Sequence, residues 1–164
     1  MKPDNICIGD FNDLKTLHSI RLIDFGLATP YLETHISTDG TEERVHIPKA
    51  HKCFQGNLAF SSKNCFKEVT LSRRDDLISL AYFLLYLATG KLPFVKHNLP
   101  LMDQINRIKR KKNKQKPKKF CGAYKCDYLI EFTEYTYSLR FEDEPDYNYL
   151  KFLLKKNLMD KEMV

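Results

Sequence analysis

Several features that mark other protein classes are missing from this sequence. Six glycines and seven prolines among 164 residues exclude a collagen-like or low-complexity chain. The five cysteines form no Cys-x-x-Cys pair, which argues against a disulfide scaffold and the common zinc patterns. The most hydrophobic stretch, residues 77–88, has twelve residues, whereas a membrane-spanning helix needs about 20. The first ten residues lack the apolar core of a secretory signal.

The composition that remains is that of one globular domain. Hydrophobic residues make up 43% of the chain and charged residues 29%, which argues against disorder. A domain of this length can bury about 70% of the surface of its unfolded chain. With an odd number of cysteines, we expect reduced thiols and a protein of the cytoplasm or the nucleus, without membrane association.

The positive charge is concentrated in one segment. Residues 109–119 contain eight lysines and arginines and no acid, and without them the formal net charge falls from +6 to −2. A run of this kind usually forms a solvated loop, which is the interpretation we favour. Nuclear targeting and direct contact with nucleic acid are the weaker alternatives, because no aromatic residues alternate with the basic ones to stack on bases. We therefore do not expect nucleic acid as a partner.

The first part of the chain predicts short strands. Ile6–Ile8 is one apolar run and Ser19–Ile23 is a second, and the Gly9-Asp10 and Asn12-Asp13 pairs between them favour turns. From about 25 to 70 no periodicity persists, which predicts an irregular segment that is functional or mobile.

The second half predicts a helical body. Ser72 followed by Asp75 has the spacing of a capping box, an apolar run covers 77–88, and Gly90 is a stop signal. Apolar residues on nearly every face place this helix inside the protein. Three of its leucines are expected on one side: Leu80, Leu84 and Leu87.

Three further helices are predicted, which gives a mainly α fold with a small β-hairpin. The first covers Leu101 to about Lys112, with Leu101, Ile105 and Ile108 on one face. Asp127 can cap the second, whose buried side would use Leu129, Phe132, Thr136 and Leu139. The third opens with the acids of 142–146, has Pro145 in its first turn, and continues through Leu150, Leu154 and Leu158.

Two short strings carry the chemical signal. Lys2-Pro3-Asp4-Asn5 precedes the first strand, and Asp24-Phe25-Gly26 follows the second. An Asn and an Asp at the two ends of one hairpin can supply the hard oxygen ligands that metal-bound phosphates need. A Lys three residues before the Asn can stabilise charge on a phosphoryl group. An isolated Asp-Phe-Gly is weak evidence, but the order of both strings around a hairpin is specific.

With these strings the chain resembles the protein kinases, and later motifs narrow the resemblance to casein kinase I. The motifs occur in the family's order: Asp24-Phe25-Gly26-Leu27-Ala28, His46-Ile47-Pro48, Ser72-Arg73-Arg74-Asp75-Asp76-Leu77, Leu92-Pro93, Ser138-Leu139-Arg140-Phe141 and Pro145-Asp146-Tyr147. The resemblance covers roughly residues 2–158. It implies the C-terminal lobe of a kinase domain, a partial kinase-like α+β fold.

The resemblance also implies domain limits. A partial kinase domain would cover 1–158, with the catalytic-loop end and hairpin at 1–24 and the activation segment at 24–64. The helical body would cover 72–158, followed by a tail at 159–164.

The resemblance gives roles to four residues. Asn5 resembles the Asn that binds the second Mg²⁺, and Asp24 resembles the Asp that holds the metal bridging the phosphates of ATP. Lys2 resembles the catalytic-loop Lys that contacts the transferring phosphoryl group. Asp76 resembles the helix Asp that fixes the catalytic-loop backbone, although a first-turn helix acid would explain it on pattern alone. The implied cofactors are ATP and Mg²⁺, and the implied partner is a protein substrate or another protein.

Other parts of the family pattern are absent or changed. The catalytic base would lie one position before Met1, and the 164 residues contain no Gly-x-Gly-x-x-Gly string and no strand Lys motif. Asn57 replaces a hydroxyl residue, and Ala59 replaces an Arg that helps the family hold an anionic substrate. Arg140 is expected to lack its usual carboxylate partner and to act as a helix-terminal cation.

Three functions are therefore compatible with the sequence. The first is a serine/threonine kinase represented by its C-terminal lobe and expected to be inactive in this form. The second is a non-catalytic kinase-type lobe that binds a protein. The third, a basic module that binds nucleic acid or directs nuclear import, is the weakest.

Overall fold

The computed structural model describes residues 1–10 and 12–162 and is mainly helical, with two small antiparallel sheets. The four strands are β1 (Ile6–Ile8), β2 (Ile20–Leu22), β3 (Leu32–Ile36) and β4 (Glu42–His46). The five α-helices are α1 (Arg73–Thr89), α2 (Leu101–Lys114), α3 (Pro117–Ala123), α4 (Ile130–Ser138) and α5 (Tyr147–Glu162). Short 3-10 helices cover Pro3–Asn5, Lys63–Lys67 and Asp127–Leu129.

The predicted hairpin is confirmed. β1 pairs antiparallel with β2, so that Ile6 lies opposite Leu22 and Ile8 opposite Ile20. Gly9 closes the connection by donating its N–H to the Ser19 carbonyl at 3.0 Å. A Cβ at this position would lie 1.7 Å from the Thr16 carbonyl oxygen, and only glycine permits so close an approach of two backbone segments.

A second hairpin lies inside the segment that was predicted to be irregular. β3 pairs with β4 around a turn in which Ser37 and Gly40 are hydrogen-bonded and Gly40 has a φ of 83°. Asp39 and Gly40 supply the turn chemistry of a hairpin. The prediction failed because both strands are mostly exposed and therefore lack the apolar alternation by which strands are recognised.

The central helix α1 begins and ends where the sequence predicts. The backbone N–H of Ser72 donates to Asp75 Oδ2 at 3.0 Å, and Gly90 ends the helix with a φ of 67°. Residues 77–85 of α1 pack into two apolar clusters, one around Tyr82 and one around Leu77. Of the three leucines expected on one inward-facing side, Leu80 and Leu84 are half-buried. The expectation is wrong for Leu87, which is 63% exposed. Leu85 is the fully buried leucine in this part of the helix.

The predicted helices of the body are present, with altered limits. α2 continues to Lys114, and of its predicted face Ile108 is buried whereas Leu101 is exposed. The basic run forms the end of α2 and the beginning of α3, so the prediction of a solvated loop is wrong. The helix predicted after Asp127 corresponds to α4. Its predicted buried side is confirmed at all four positions: Leu129, Phe132, Thr136 and Leu139.

The last helix begins later than predicted. Pro145 precedes α5, whose first turn is capped by Asp146 through a 2.8 Å bond from the Tyr149 N–H. Leu150 is buried and Leu154 packs against the core, while the side chain of Leu158 lies outside the described residues. Of the predicted tail, 159–162 continue α5, and residues 163 and 164 lie outside the described part of the chain. Within the described residues, no helix combines the length and apolar character that crossing a membrane requires.

Candidate functional site

Asn5 and Asp24, the two predicted metal ligands, lie side by side. A 2.9 Å bond from the Ile23 N–H to the Asn5 carbonyl joins the two ends of the β1–β2 hairpin. Asn5 Nδ2 then donates to Asp24 Oδ2 at 3.3 Å. The hairpin register thus places an amide and a carboxylate at the same end of two strands, on a solvent-exposed edge. Their role as metal ligands stays a prediction.

Asp24 has an uncommon backbone conformation. Its φ is 63°, in the left-handed region that few non-glycine residues adopt outside Asn and Asp. In this conformation Asp24 Oδ1 accepts the N–H of Gly26 at 3.4 Å, while Oδ2 faces Asn5. Such conformations concentrate at functional sites, where the surrounding structure holds them.

Lys2 belongs to the same turn as Asn5. It precedes the helix Pro3–Asn5, and its carbonyl accepts the Asn5 N–H at 3.1 Å. The side chain is half-buried. Within residues 1–10 and 12–162, its amine forms no hydrogen bond or ion pair, so the structure does not bring it onto Asp24.

Asp76 lies in the first turn of α1, and the positive charge of the Met1 ammonium acts on its carboxylate. Desolvation of its carboxylate raises the pKa of Asp76, the Met1 ammonium opposes this shift, and the Asp75 carboxylate adds to it. No described residue donates a hydrogen bond to the Asp76 side chain. Its role in fixing the catalytic loop therefore stays a prediction.

The neighbouring Asp75 has a structural role that sequence reasoning recognised only as a helix cap. Its side chain is 4% exposed. Asp75 Oδ1 accepts bonds from Ser62 Oγ at 2.5 Å and Asn64 Nδ2 at 2.8 Å, and Oδ2 accepts the Ser72 N–H at 3.0 Å. This carboxylate joins the end of the predicted activation segment to the start of the central helix.

The substituted positions Asn57 and Ala59 lie two residues apart in a tight turn. Asn57 Oδ1 accepts the N–H groups of Ala59 at 2.8 Å and Phe60 at 3.2 Å. The Asn57 side chain is therefore occupied in capping its own turn. Ala59 offers no charged group, so this turn carries no side-chain cation at that position.

Arg140 pairs with a nearby carboxylate, that of Asp143, which is not the partner usual in the family. Arg140 Nε lies 2.9 Å from Asp143 Oδ1, and the Arg140 N–H donates to Asp143 Oδ2 at 2.7 Å. Arg140 follows the end of α4 by two residues and its side chain is exposed. It stabilises a local loop and does not terminate a helix.

Within the basic run 109–119, Lys112 differs most from the predicted solvated loop, because it is buried. Its residue surface is 1% exposed, and its ammonium lies among the carbonyls of Leu58, Ala59 and Ser61 and three aromatic rings. Burial lowers the pKa of Lys112 to about 7, and the nearby Cys65 thiol partly opposes this. Nothing in the sequence separates Lys112 from its exposed neighbours except its spacing of four from the buried Ile108.

Large apolar side chains are exposed around the hairpin that carries Asn5 and Asp24. They are Ile8, Ile20, Leu22, Ile23, Phe25 and Leu27. A concentration of this kind on a folded domain usually marks a surface that another protein segment covers. The candidate site thus lies beside an apolar face.

Within the described ranges 1–10 and 12–162, no group of three or more His, Cys, Asp or Glu residues is close enough to hold a metal ion. Asn5 and Asp24 alone would offer two protein ligands. An ion held by so few ligands usually takes its remaining ligands from water and from substrate phosphates, as Mg²⁺ does.

Comparison with known proteins gives a kinase-like relationship. No protein-family model matches the chain. A protein of Encephalitozoon cuniculi (strain GB-M1), described as a probable casein kinase I homolog, is 35% identical over 159 residues. The matched region covers 95% of this chain and 46% of that protein. The chain therefore spans slightly less than half the length of this relative.

Proposed function

We propose that this chain is the C-terminal lobe of a casein kinase I-like serine/threonine protein kinase. The complete enzyme would transfer the γ-phosphoryl group of ATP to a serine or threonine of a protein substrate in the cytoplasm or nucleus. The observation that carries the proposal is the 3.3 Å contact between Asn5 and Asp24, the two residues that the family resemblance designates as metal ligands. The similarity to a casein kinase I homologue supports it independently.

The donor set at this edge fits Mg²⁺. Asn5 and Asp24 offer an amide oxygen and a carboxylate, which are hard oxygen donors, and both residues are open to solvent on one side. When bound with ATP, the ion would neutralise the charge of the phosphates. Asn5 and Asp24 would hold it, and the backbone bond between Ile23 and Asn5 would fix the distance between these two ligands.

Lys2 and Asp76 would support the same site. Lys2 shares a turn with Asn5, and in the complete enzyme its ammonium would neutralise charge on the phosphoryl group. The Met1 ammonium acts electrostatically on Asp76, and in the complete enzyme the Asp76 carboxylate would accept hydrogen bonds from the catalytic-loop backbone. In phosphoryl transfer such positioning and charge neutralisation account for most of the catalysis.

One observation favours a non-catalytic lobe that binds a protein. The Asn57 side chain is occupied by the N–H groups of Ala59 and Phe60, so it does not replace the hydroxyl that in the family closes the active site. In this alternative the exposed apolar face around the hairpin would be the binding surface.

The coding sequence upstream of Met1 distinguishes the two functions. An in-frame His-Arg-Asp immediately before Met1 would supply the catalytic base, and the corresponding longer product should phosphorylate an acidic protein in the presence of Mg²⁺ and ATP. Asp24→Asn should reduce kcat by roughly 100-fold or more, while Asp103→Asn, an exposed acid of α2, should leave it unchanged. A stop codon directly upstream, or full activity in Asp24→Asn, would contradict the kinase proposal.

A further inference from the structure

Lys112 is a buried cation whose hydrogen bonds all go to one short stretch of backbone. Lys112 Nζ donates to the carbonyls of Leu58 at 2.9 Å, Ala59 at 2.8 Å and Ser61 at 2.5 Å. An ammonium has three N–H donors, so these three bonds use all of them. Lys112 has no donor left for a phosphate or any other external anion, and its contacts are internal to the fold.

Three aromatic rings also lie close to this ammonium. The Nζ atom lies 4.5 Å from the ring centre of Phe94, 4.8 Å from that of Tyr82 and 5.6 Å from that of Phe66. Rings at these distances attract a cation through their quadrupoles, and the attraction is stronger when water is excluded. Within the described residues, no carboxylate forms an ion pair with Lys112.

The stretch that Lys112 binds is the turn that contains both substituted positions. Asn57 Oδ1 accepts N–H groups from inside the turn, and the Asn57 carbonyl accepts the Ser61 N–H at 2.9 Å. These bonds direct the carbonyls of residues 58, 59 and 61 onto one point. Three carbonyl dipoles that converge in a buried place need a donor there, because unpaired buried carbonyls are costly.

We propose that Lys112 is a positioning residue whose buried ammonium holds residues 58–61 in a single conformation, so that α2 sets the shape of this turn. The importance of the turn for a protein substrate rests on the proposed kinase function. The fixing of the backbone does not, because it depends only on the contacts of Lys112. The two ideas can therefore fail separately.

Lys112→Met in this chain tests the proposal. Methionine fills a similar volume but donates no hydrogen bond, and Lys114→Met removes the same charge from an exposed position on the same helix. We expect hydrogen exchange at the amides of Ala59, Phe60 and Ser61 to accelerate about tenfold or more in Lys112→Met and to be unchanged in Lys114→Met. Unchanged exchange in a folded Lys112→Met chain would overturn the proposal.

A pH titration of the unmodified chain gives a second test, which holds even if Lys112→Met fails to fold. Burial lowers the pKa of Lys112 to about 7. Its titratable neighbours stay neutral near that pH, because burial raises the pKa of Cys65, of Tyr82 and of the hydrogen-bonded Tyr137. A neutral amine has only two N–H donors, so loss of the proton removes one of the three bonds.

We therefore expect the NMR shifts of the amides at 58–61 to follow the titration of the Lys112 Nζ nitrogen with the same midpoint. The amides of residues 147–156 in α5, a stretch without histidine, serve as the internal control. A Lys112 that titrates without any effect on residues 58–61 would overturn the proposal.

Discussion

Replacement of Asp75 by alanine should destabilise the chain far more than the same change at the adjacent Asp76. The two acids are neighbours in the first turn of α1, but only the Asp75 carboxylate accepts hydrogen bonds from described residues. Those bonds come from Ser62 Oγ, Asn64 Nδ2 and the Ser72 N–H. Removing the carboxylate leaves two buried side-chain donors and one helix-start N–H without their acceptor.

The magnitude follows from these bonds. A hydrogen bond to a charged group contributes about 1.5–3 kcal/mol, and a buried donor left unpaired carries its full desolvation penalty. The three bonds share one carboxylate and are not additive, and Asp75 Oδ2 also lies 3.6 Å from Nε of the largely buried Arg74. We therefore expect a loss of about 3–5 kcal/mol in the free energy of unfolding, as for breaking a buried charged pair. For a chain of this size, that corresponds to a fall in Tm of about 10 °C. Asp76→Ala should cost less than about 1 kcal/mol.

Thermal and urea unfolding of the two variants, followed by far-UV circular dichroism, measure this difference. Asp75→Asn is the intermediate case, because an amide retains one acceptor oxygen but loses the charge. Equal losses in Asp75→Ala and Asp76→Ala would refute the reasoning, since they would show that the bonds from Ser62 and Asn64 do not stabilise the fold.

Three further outcomes are expected. The pKa of Lys112 is about 10.5 in the unfolded chain, and burial lowers it to about 7 in the folded chain. Between these two pH values the folded chain binds fewer protons than the unfolded chain. Its stability therefore falls as the pH drops from about 10.5 to about 7, by up to about 1.4 kcal/mol per pH unit. Lys112→Met should remove this dependence in urea unfolding at several pH values, and equal slopes in both chains would contradict the burial of a charge. Leu85→Ala should lower the free energy of unfolding by about 2–5 kcal/mol, whereas Leu87→Ala, at an exposed site, should lower it by less than about 1 kcal/mol. Similar losses in urea unfolding would show that α1 is oriented differently. Finally, the 164-residue chain should show no measurable transfer of labelled phosphate from ATP to an acidic protein, and robust transfer that survives Asp24→Asn would refute the metal-ligand role.

The candidate site was found from sequence because its parts are close along the chain. Asn5 and Asp24 flank a hairpin, and pairing of β1 with β2 brings any two residues at those ends together. The interpretation of the pair as metal ligands needed the order of both strings and the family resemblance. The occupation of Asn57 by its own turn was not foreseen, because an asparagine side chain can bond to several nearby N–H groups and only the backbone path selects them.

The limits of the central helix were determined by the sequence alone. A capping residue at Ser72, an acid three positions later and a glycine after the last turn are local signals, and they act through backbone groups within a few residues of themselves. The buried face of α4 was equally local, because a helical period fixes which side chains share a face.

Tertiary structure decided the environments of Lys112 and Asp75. Lys112 stands in a run of lysines that are chemically alike, yet it is buried because carbonyls more than fifty residues earlier in the chain, together with the rings of Tyr82 and Phe94, provide a place for its charge. Asp75 is a helix cap by sequence, and it joins two parts of the chain only because Ser62 and Asn64 fold back onto it. The burial of a charge depends on partners that are distant in sequence, so no local pattern determines it.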